Sequence, residues 1–178
     1  MADCELVRVQ ARITLPDDLC GAIDAARMRW NPELASKNPA HITIVYHDEA
    51  PDPGLLRSRL ERVCRGTAPF ALCLGAVEKF SETESGACIK VADPTGGVEK
   101  LRRAILAPPF TARAWFGLHV TLLHPTYGFR LAEAWLELPS LQSGASFVAE
   151  RIDLITGIGP ATETLVSLTL SGASAADV

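Results

Sequence analysis

His41-Ile42-Thr43-Ile44 and His119-Val120-Thr121-Leu122 stand 78 residues apart in a chain of 178 residues. Each tetrad alternates polar and apolar residues, which is the period of a β-strand with one buried face. Residues i and i+2 of a strand point the same way, about 6 to 7 Å apart along the chain. His41 and Thr43 therefore share a face, with Ile42 and Ile44 behind them. His119 and Thr121 share a face in the same way, backed by Val120 and Leu122. At this composition a given histidine starts such a tetrad by chance about 3% of the time. Two tetrads among four histidines mark a repeated device.

Working outward, each tetrad sits in a half of similar layout. Glu5 to Leu15 reads as a strand, with Val7, Val9, Ala11 and Ile13 alternating with Arg8, Gln10 and Arg12. Pro16-Asp17-Asp18 opens a helix whose buried stripe is Leu19, Ile23, Ala26 and Trp30. Asn31-Pro32 and Asn38-Pro39 make residues 31 to 40 a loop before the strand His41 to His47. Asp52-Pro53 caps a second helix, with Leu56, Leu60 and Val63 inward. Phe70 to Phe80 and Ala87 to Ala92 form a strand pair around the polar loop Ser81 to Gly86. Val98, Leu101 and Ile105 mark a third helix, and Leu118 to Leu123 is the second tetrad strand. A short helix, Leu131 to Leu138, should stop at Pro139. Phe147 to Ile155 and Glu163 to Leu170 are the last strands, joined through Gly157-Ile158-Gly159-Pro160. The expected fold is α+β and bilobal, with two mainly antiparallel sheets facing a central cleft and helices packed outside. Residues 1–170 form one such domain, and 171–178 are expected to be a disordered tail.

With 48% apolar and 21% charged residues, the composition is that of a soluble globular protein. No apolar run approaches the 18 to 20 or so residues that span a bilayer, so no membrane partner is expected. The acidic start, Met1 to Glu5, lacks the basic and apolar stretches of a signal peptide. The five cysteines are odd in number and scattered, without C-x-x-C, which suits small buried residues in a reducing cytoplasm. A net charge of -4 argues against tight binding of long duplex nucleic acid. A monomer is expected.

The chemistry follows from the paired imidazoles. Imidazole exchanges a proton near neutrality. In-line cleavage of a phosphodiester needs a base on the attacking oxygen and an acid on the leaving oxygen, on opposite sides of phosphorus. His41 and His119, facing each other across a cleft, suit those roles. The hydroxyls of Thr43 and Thr121 can donate to the non-bridging oxygens. Such a site needs neither metal nor cofactor. Four histidines invite a zinc reading, but no Cys or acidic ligand accompanies them at regular spacing.

These residues resemble the signature of the 2H phosphoesterase superfamily, which is defined by two H-h-[S/T]-h motifs with h apolar. That superfamily includes the 2'-5' RNA ligase-like proteins and the 2',3'-cyclic nucleotide phosphodiesterases. The similarity runs over roughly residues 5 to 170 by element order. It implies a bilobal fold with the cleft between two sheets, and metal-independent opening of cyclic phosphates or cleavage of 2',5' linkages. It also implies His41 and His119 as acid and base, in an order left open, and Thr43 and Thr121 as phosphate ligands. The expected activity is hydrolysis of a 2',3'-cyclic phosphate on a nucleotide or RNA terminus. The alternatives are a 2',5'-specific ligase or phosphodiesterase using the same site, and a non-catalytic nucleotide or RNA-end binder. A carrier for a small apolar ligand would instead leave the histidines unopposed.

Further binding candidates are Arg8 and Arg12 on the polar face of the first strand, and Lys90 between Ile89 and Val91. Trp115, Phe116 and Phe80 are candidates to stack on a base. His124 falls behind the sheet by strict period two, but a twisted strand end would bring it to the cleft. His47 is expected at the cleft rim, Tyr46 in the core, and the Arg57, Arg59, Arg62 and Arg65 run on a solvated helix face. Asp93-Pro94-Thr95-Gly96-Gly97 lacks the P-loop pattern and reads as a turn opening a helix.

Overall fold

The computed structural model describes residues 8–80, 85–113, 117–141, 143–157 and 162–173. Its strands are β1 (Val9–Thr14), β2 (His41–Val45), β3 (Phe70–Lys79), β4 (Ala87–Ala92), β5 (His119–Leu123), β6 (Ser146–Ala149), β7 (Arg151–Thr156) and β8 (Glu163–Thr169). The helices are α1 (Asp17–Trp30), α2 (Pro32–Ala35), α3 (Pro53–Arg65), α4 (Gly97–Ile105) and α5 (Leu131–Ala134). All strand pairs are antiparallel.

Each tetrad strand lies in its own half. β6-β3-β4-β5 carries the second tetrad and β2-β1-β7-β8 the first. The expectation of two sheets is corrected in one respect. β2 and β5 meet at Ile42 and Val120, joining the halves into one eight-stranded sheet. The free edge of each tetrad strand thereby finds backbone partners in the other half.

The elements form for local reasons. Asp52 caps α3 by accepting from Leu55 N at 2.9 Å, and Pro53 opens its first turn. Ile23 and Trp30 of α1, Leu56 and Leu60 of α3, and Val98, Leu101 and Ile105 of α4 are buried at helical spacing. α3 packs on α4 and β8, α4 packs on β2, and α1 of the first half reaches β5 of the second.

Other expectations shift at boundaries. Phe147 to Ile155 is not one strand: it breaks at Glu150, so that β6 pairs with β3 while β7 pairs with β1. One segment thus serves both halves, which alternation alone does not reveal. Pro139 does not stop a helix. Its fixed φ fits the 3₁₀ turn Leu138–Leu141, and another 3₁₀ turn, Pro125–Arg130, precedes α5. The loop 31–40 contains α2. Arg59 is not simply solvated: it donates to the carbonyls of Ile105, Ala107 and Pro108 and tethers the segment after α4. In the expected tail, Ser171 N and Gly172 N donate to Cys64 O and Thr67 O at 3.0 Å, while residues 174–178 lie outside the described ones. Cys64 and Cys88 are buried, and burial pushes both thiols up to about 11. Among the described residues no helix is long and apolar enough to cross a membrane.

One buried ion pair locks β2 from behind. Arg102 of α4 donates to both carboxylate oxygens of Glu49, at 2.6 and 3.0 Å, and to Ile44 O at 2.5 Å. Glu49 is 1% exposed and also accepts from the backbone amides of Tyr46 and Arg113, each at 2.9 Å. The back of the first tetrad strand is therefore held by a saturated carboxylate.

Candidate active site

The two tetrads have the same burial profile. In His41–Val45 and in His119–Leu123 the first and third residues are half-buried and the second, fourth and fifth are buried. Ile42, Ile44, Val120 and Leu122 are each 0% exposed, so apolar burial fixes which face each histidine takes. The antiparallel pairing of Ile42 with Val120 sets residue 41 alongside 121, and residue 43 alongside 119. The histidines are then diagonal neighbours, whose Cα atoms stand about 7 to 8 Å apart in such a pair. His41, Thr43, His119 and Thr121 all line one cleft of about 600 Å³.

Each imidazole is oriented by the carbonyl two residues before it. His41 Nδ1 donates to Pro39 O at 2.7 Å, and His119 Nδ1 donates to Gly117 O at 2.8 Å. A carbonyl only accepts, so Nδ1 carries the proton in both rings and Nε2 is left for the cleft. Burial pulls His41 down to about 3, against the opposing Pro39 carbonyl and with help from Arg12, Arg27 and His119. Burial also lowers His119, the Gly117 carbonyl opposing and Lys90 adding to the effect. Both rings are therefore neutral in the free protein at pH 7.

Arg27 stands out among the residues the sequence reading missed. It is 5% exposed, lies at i+4 from Ile23 on the buried stripe of α1, pairs with Asp24 at 2.5 Å and lines the cleft. A charged residue at a stripe position was the available signal. Asn31 is 3% exposed and bridges the halves from α1 to β5: Nδ2 donates to Leu122 O at 2.5 Å, and Oδ1 accepts from His124 N at 2.7 Å. Asn38, 8% exposed, accepts from Arg12 Nη1 at 2.9 Å and immediately precedes the Pro39 carbonyl that orients His41. Both asparagines read as turn residues because each precedes a proline. Replacing Asn31 by alanine takes the side-chain donor from the buried Leu122 carbonyl and the acceptor from the part-buried His124 amide. A loss of about 2 to 4 kcal/mol in unfolding free energy is expected, and a shift under about 0.5 kcal/mol in a denaturant titration would show that the bridge contributes nothing to stability.

The other candidates divide. Arg12 faces the cleft side beside Thr43 but is 4% exposed and lies behind Asn38 rather than in the cleft wall. Its strand neighbour Gln10 does line the cleft. Arg8 is exposed just before β1, away from the lining residues, because Gln10 alone on the polar face of that strand reaches the cleft wall. Lys90 pairs in register with His119 but leans to Glu78 at 3.8 Å, outside the cleft wall. His124 lies just past the end of β5, where its side chain turns into the cleft instead of behind the sheet. Its Nδ1 accepts from Thr126 N at 3.2 Å and so caps the turn Pro125–Arg130. Trp115 and Phe116 lie outside the described residues. Phe80 lines the cleft and meets the His119 ring edge-on, centroids 5.1 Å apart at 87°. His47 lines the cleft as expected. Tyr46 is corrected from core to cleft wall: the strand ends at Val45, the alternation lapses, and Arg113 stacks on the Tyr46 ring at 3.9 Å. Among the described residues no group of three or more His, Cys, Asp or Glu side chains is placed to hold a metal ion.

Comparison with known proteins follows the same lines. E. coli LigT complexed with NADP+ superposes with a TM-score of 0.64 at 19% identity, over 94% of this chain and 99% of that one. E. coli LigT complexed with 3'-AMP gives 0.61 at 16% identity, over 93% and 98%. Kluyveromyces marxianus Usb1 gives 0.51 at 12% identity, over 91% and 97%. No curated protein matches the chain. The sequence profile of the 2'-5' RNA ligase superfamily matches residues 15–157, a span that contains both tetrads. This chain therefore belongs to the 2'-5' RNA ligase superfamily, within the 2H phosphoesterases its tetrads resemble.

Proposed function

We propose that the protein is a metal-independent phosphodiesterase that hydrolyses the 2',3'-cyclic phosphate of a nucleotide or RNA terminus. The observation that carries this reading is the pair of equivalent imidazoles, each with Nδ1 tied to a carbonyl and Nε2 left to one cleft. Membership of the family supports phosphodiesterase-type activity. That LigT was crystallised with 3'-AMP, NADP+ and ATP supports a nucleotide in the cleft.

In the proposed reaction water attacks phosphorus while one Nε2 removes its proton. The P–O bond to one ribose oxygen breaks, and that oxygen takes a proton from the other Nε2. The stronger depression at His41 suits it to the base, because it stays neutral as pH falls. His119 is then the acid. Thr43 and Thr121 donate to the non-bridging oxygens, and Arg27 and His124 add donors at the cleft wall. The nearby positive charge of Arg12 and Arg27 favours an anion.

Purified protein is expected to turn over a 2',3'-cyclic mononucleotide in the presence of EDTA. The acid must be protonated, and burial holds His119 below its ordinary 6.5. The kcat/KM profile should therefore be bell-shaped, with its maximum below about pH 6.5 and a fall toward pH 8. A maximum above about pH 7.5, or abolition of activity by EDTA, would contradict the scheme. The family description favours one further reading, a 2',5'-linked RNA substrate at the same site. Turnover of a 2',5'-dinucleotide without turnover of the cyclic phosphate would establish it, and tight nucleotide binding without any turnover would leave a binding module.

A further inference from the structure

We infer that Tyr127 and Phe129 form a stacking subsite, just beyond the cleft, for the base that precedes the terminal nucleotide. The substrate class is then an RNA end rather than a free mononucleotide. This rests on the cyclic-phosphate reading and extends it.

The cleft wall runs from His124 through Pro125 and Thr126 to Tyr127. Phe129 lies one ring further out. Its centroid is 6.4 Å from that of Tyr127, with the rings tilted by 35°, and 84% of its surface is exposed. Single exposed apolar residues are ordinary, but an aromatic ring set against the wall of a cleft that holds two imidazoles is well suited to a nucleobase. The neighbouring ring is held in place: the Tyr127 hydroxyl donates to Glu33 at 3.0 Å. The turn that carries both rings is also fixed. A Cβ on Gly128 would fall 2.0 Å from Ser85 Cβ, so glycine alone allows this approach. His124 caps the same turn, tying its position to the end of the second tetrad strand. A preformed platform binds a base without first having to order itself.

The test compares kcat/KM on an RNA trinucleotide ending in a 2',3'-cyclic phosphate with that on the matching cyclic mononucleotide. One stacked base is expected to favour the trinucleotide by about tenfold. Phe129→Ala should abolish that preference and leave mononucleotide turnover unchanged, while Phe129→Trp should retain it. Equal use of both substrates by the wild type, or an equal loss on both in Phe129→Ala, would overturn the inference. So would a dimer in sedimentation that Phe129→Ala dissociates, since a second copy would then cover the ring. If the wild type turns over neither substrate, the cyclic-phosphate reading fails and binding decides the subsite. A 3'-phosphorylated trinucleotide bound about tenfold more tightly than the mononucleotide, through Phe129, supports it, and equal affinity refutes it.

Discussion

Alanine in place of His41 or of His119 is expected to lower kcat on a cyclic mononucleotide by about 10²- to 10⁴-fold. In the proposed scheme one ring takes a proton from the attacking water and the other gives one to the leaving ribose oxygen, so neither substitutes for the other. The double variant should be little worse than either single one, because groups acting in one step are not additive. The fold should survive, since both rings are half-buried on the cleft face and the apolar backing of each strand is untouched. Far-UV circular dichroism and a denaturant midpoint check this. Full activity in either single variant contradicts the two-imidazole scheme.

The second large effect is on stability. Glu49→Ala takes the carboxylate counter-ion from the buried Arg102 guanidinium and the acceptor from the amides of Tyr46 and Arg113. Removing one partner of a buried pair costs about 3 to 5 kcal/mol. That is a large share of the total for a domain of this size. Burial pushes the Glu49 carboxyl up, but the donors from Arg102, Arg113 and Tyr46 outweigh it and hold it below its ordinary 4.5. Its contribution is therefore complete above that value and lost as pH falls through the lower folded value. Glu49→Gln, which cannot ionise, should flatten that part of the stability-against-pH curve. An unchanged curve in Glu49→Gln would assign the acid lability to other carboxylates.

Much of this was legible in the chain because local physics agreed with tertiary need. The tetrads alternate over apolar backings, and burial of Ile42, Ile44, Val120 and Leu122 fixes the cleft face. The Asp52 cap of α3 and the buried stripes of α3 and α4 were equally plain. Long-range pairing was not. The single β2–β5 contact that merges the halves, and the switch of partners at Glu150, depend on three-dimensional register. The polar shell of the cleft was also hidden. Asn31 and Asn38 look like loop residues, and Arg27 looks like one more helical arginine, until their burial is seen. Tyr46 departs from the strand alternation because β2 ends at Val45, a boundary that no turn residue marks in the chain.

The decisive measurement is a crystal structure with a nucleoside 3'-monophosphate soaked into the cleft. Phosphate oxygens should lie within about 2.6 to 3.2 Å of Nε2 of both His41 and His119, on opposite sides of one phosphorus. A phosphate that meets only one of the two imidazoles, or that binds elsewhere on the molecule, would contradict the account.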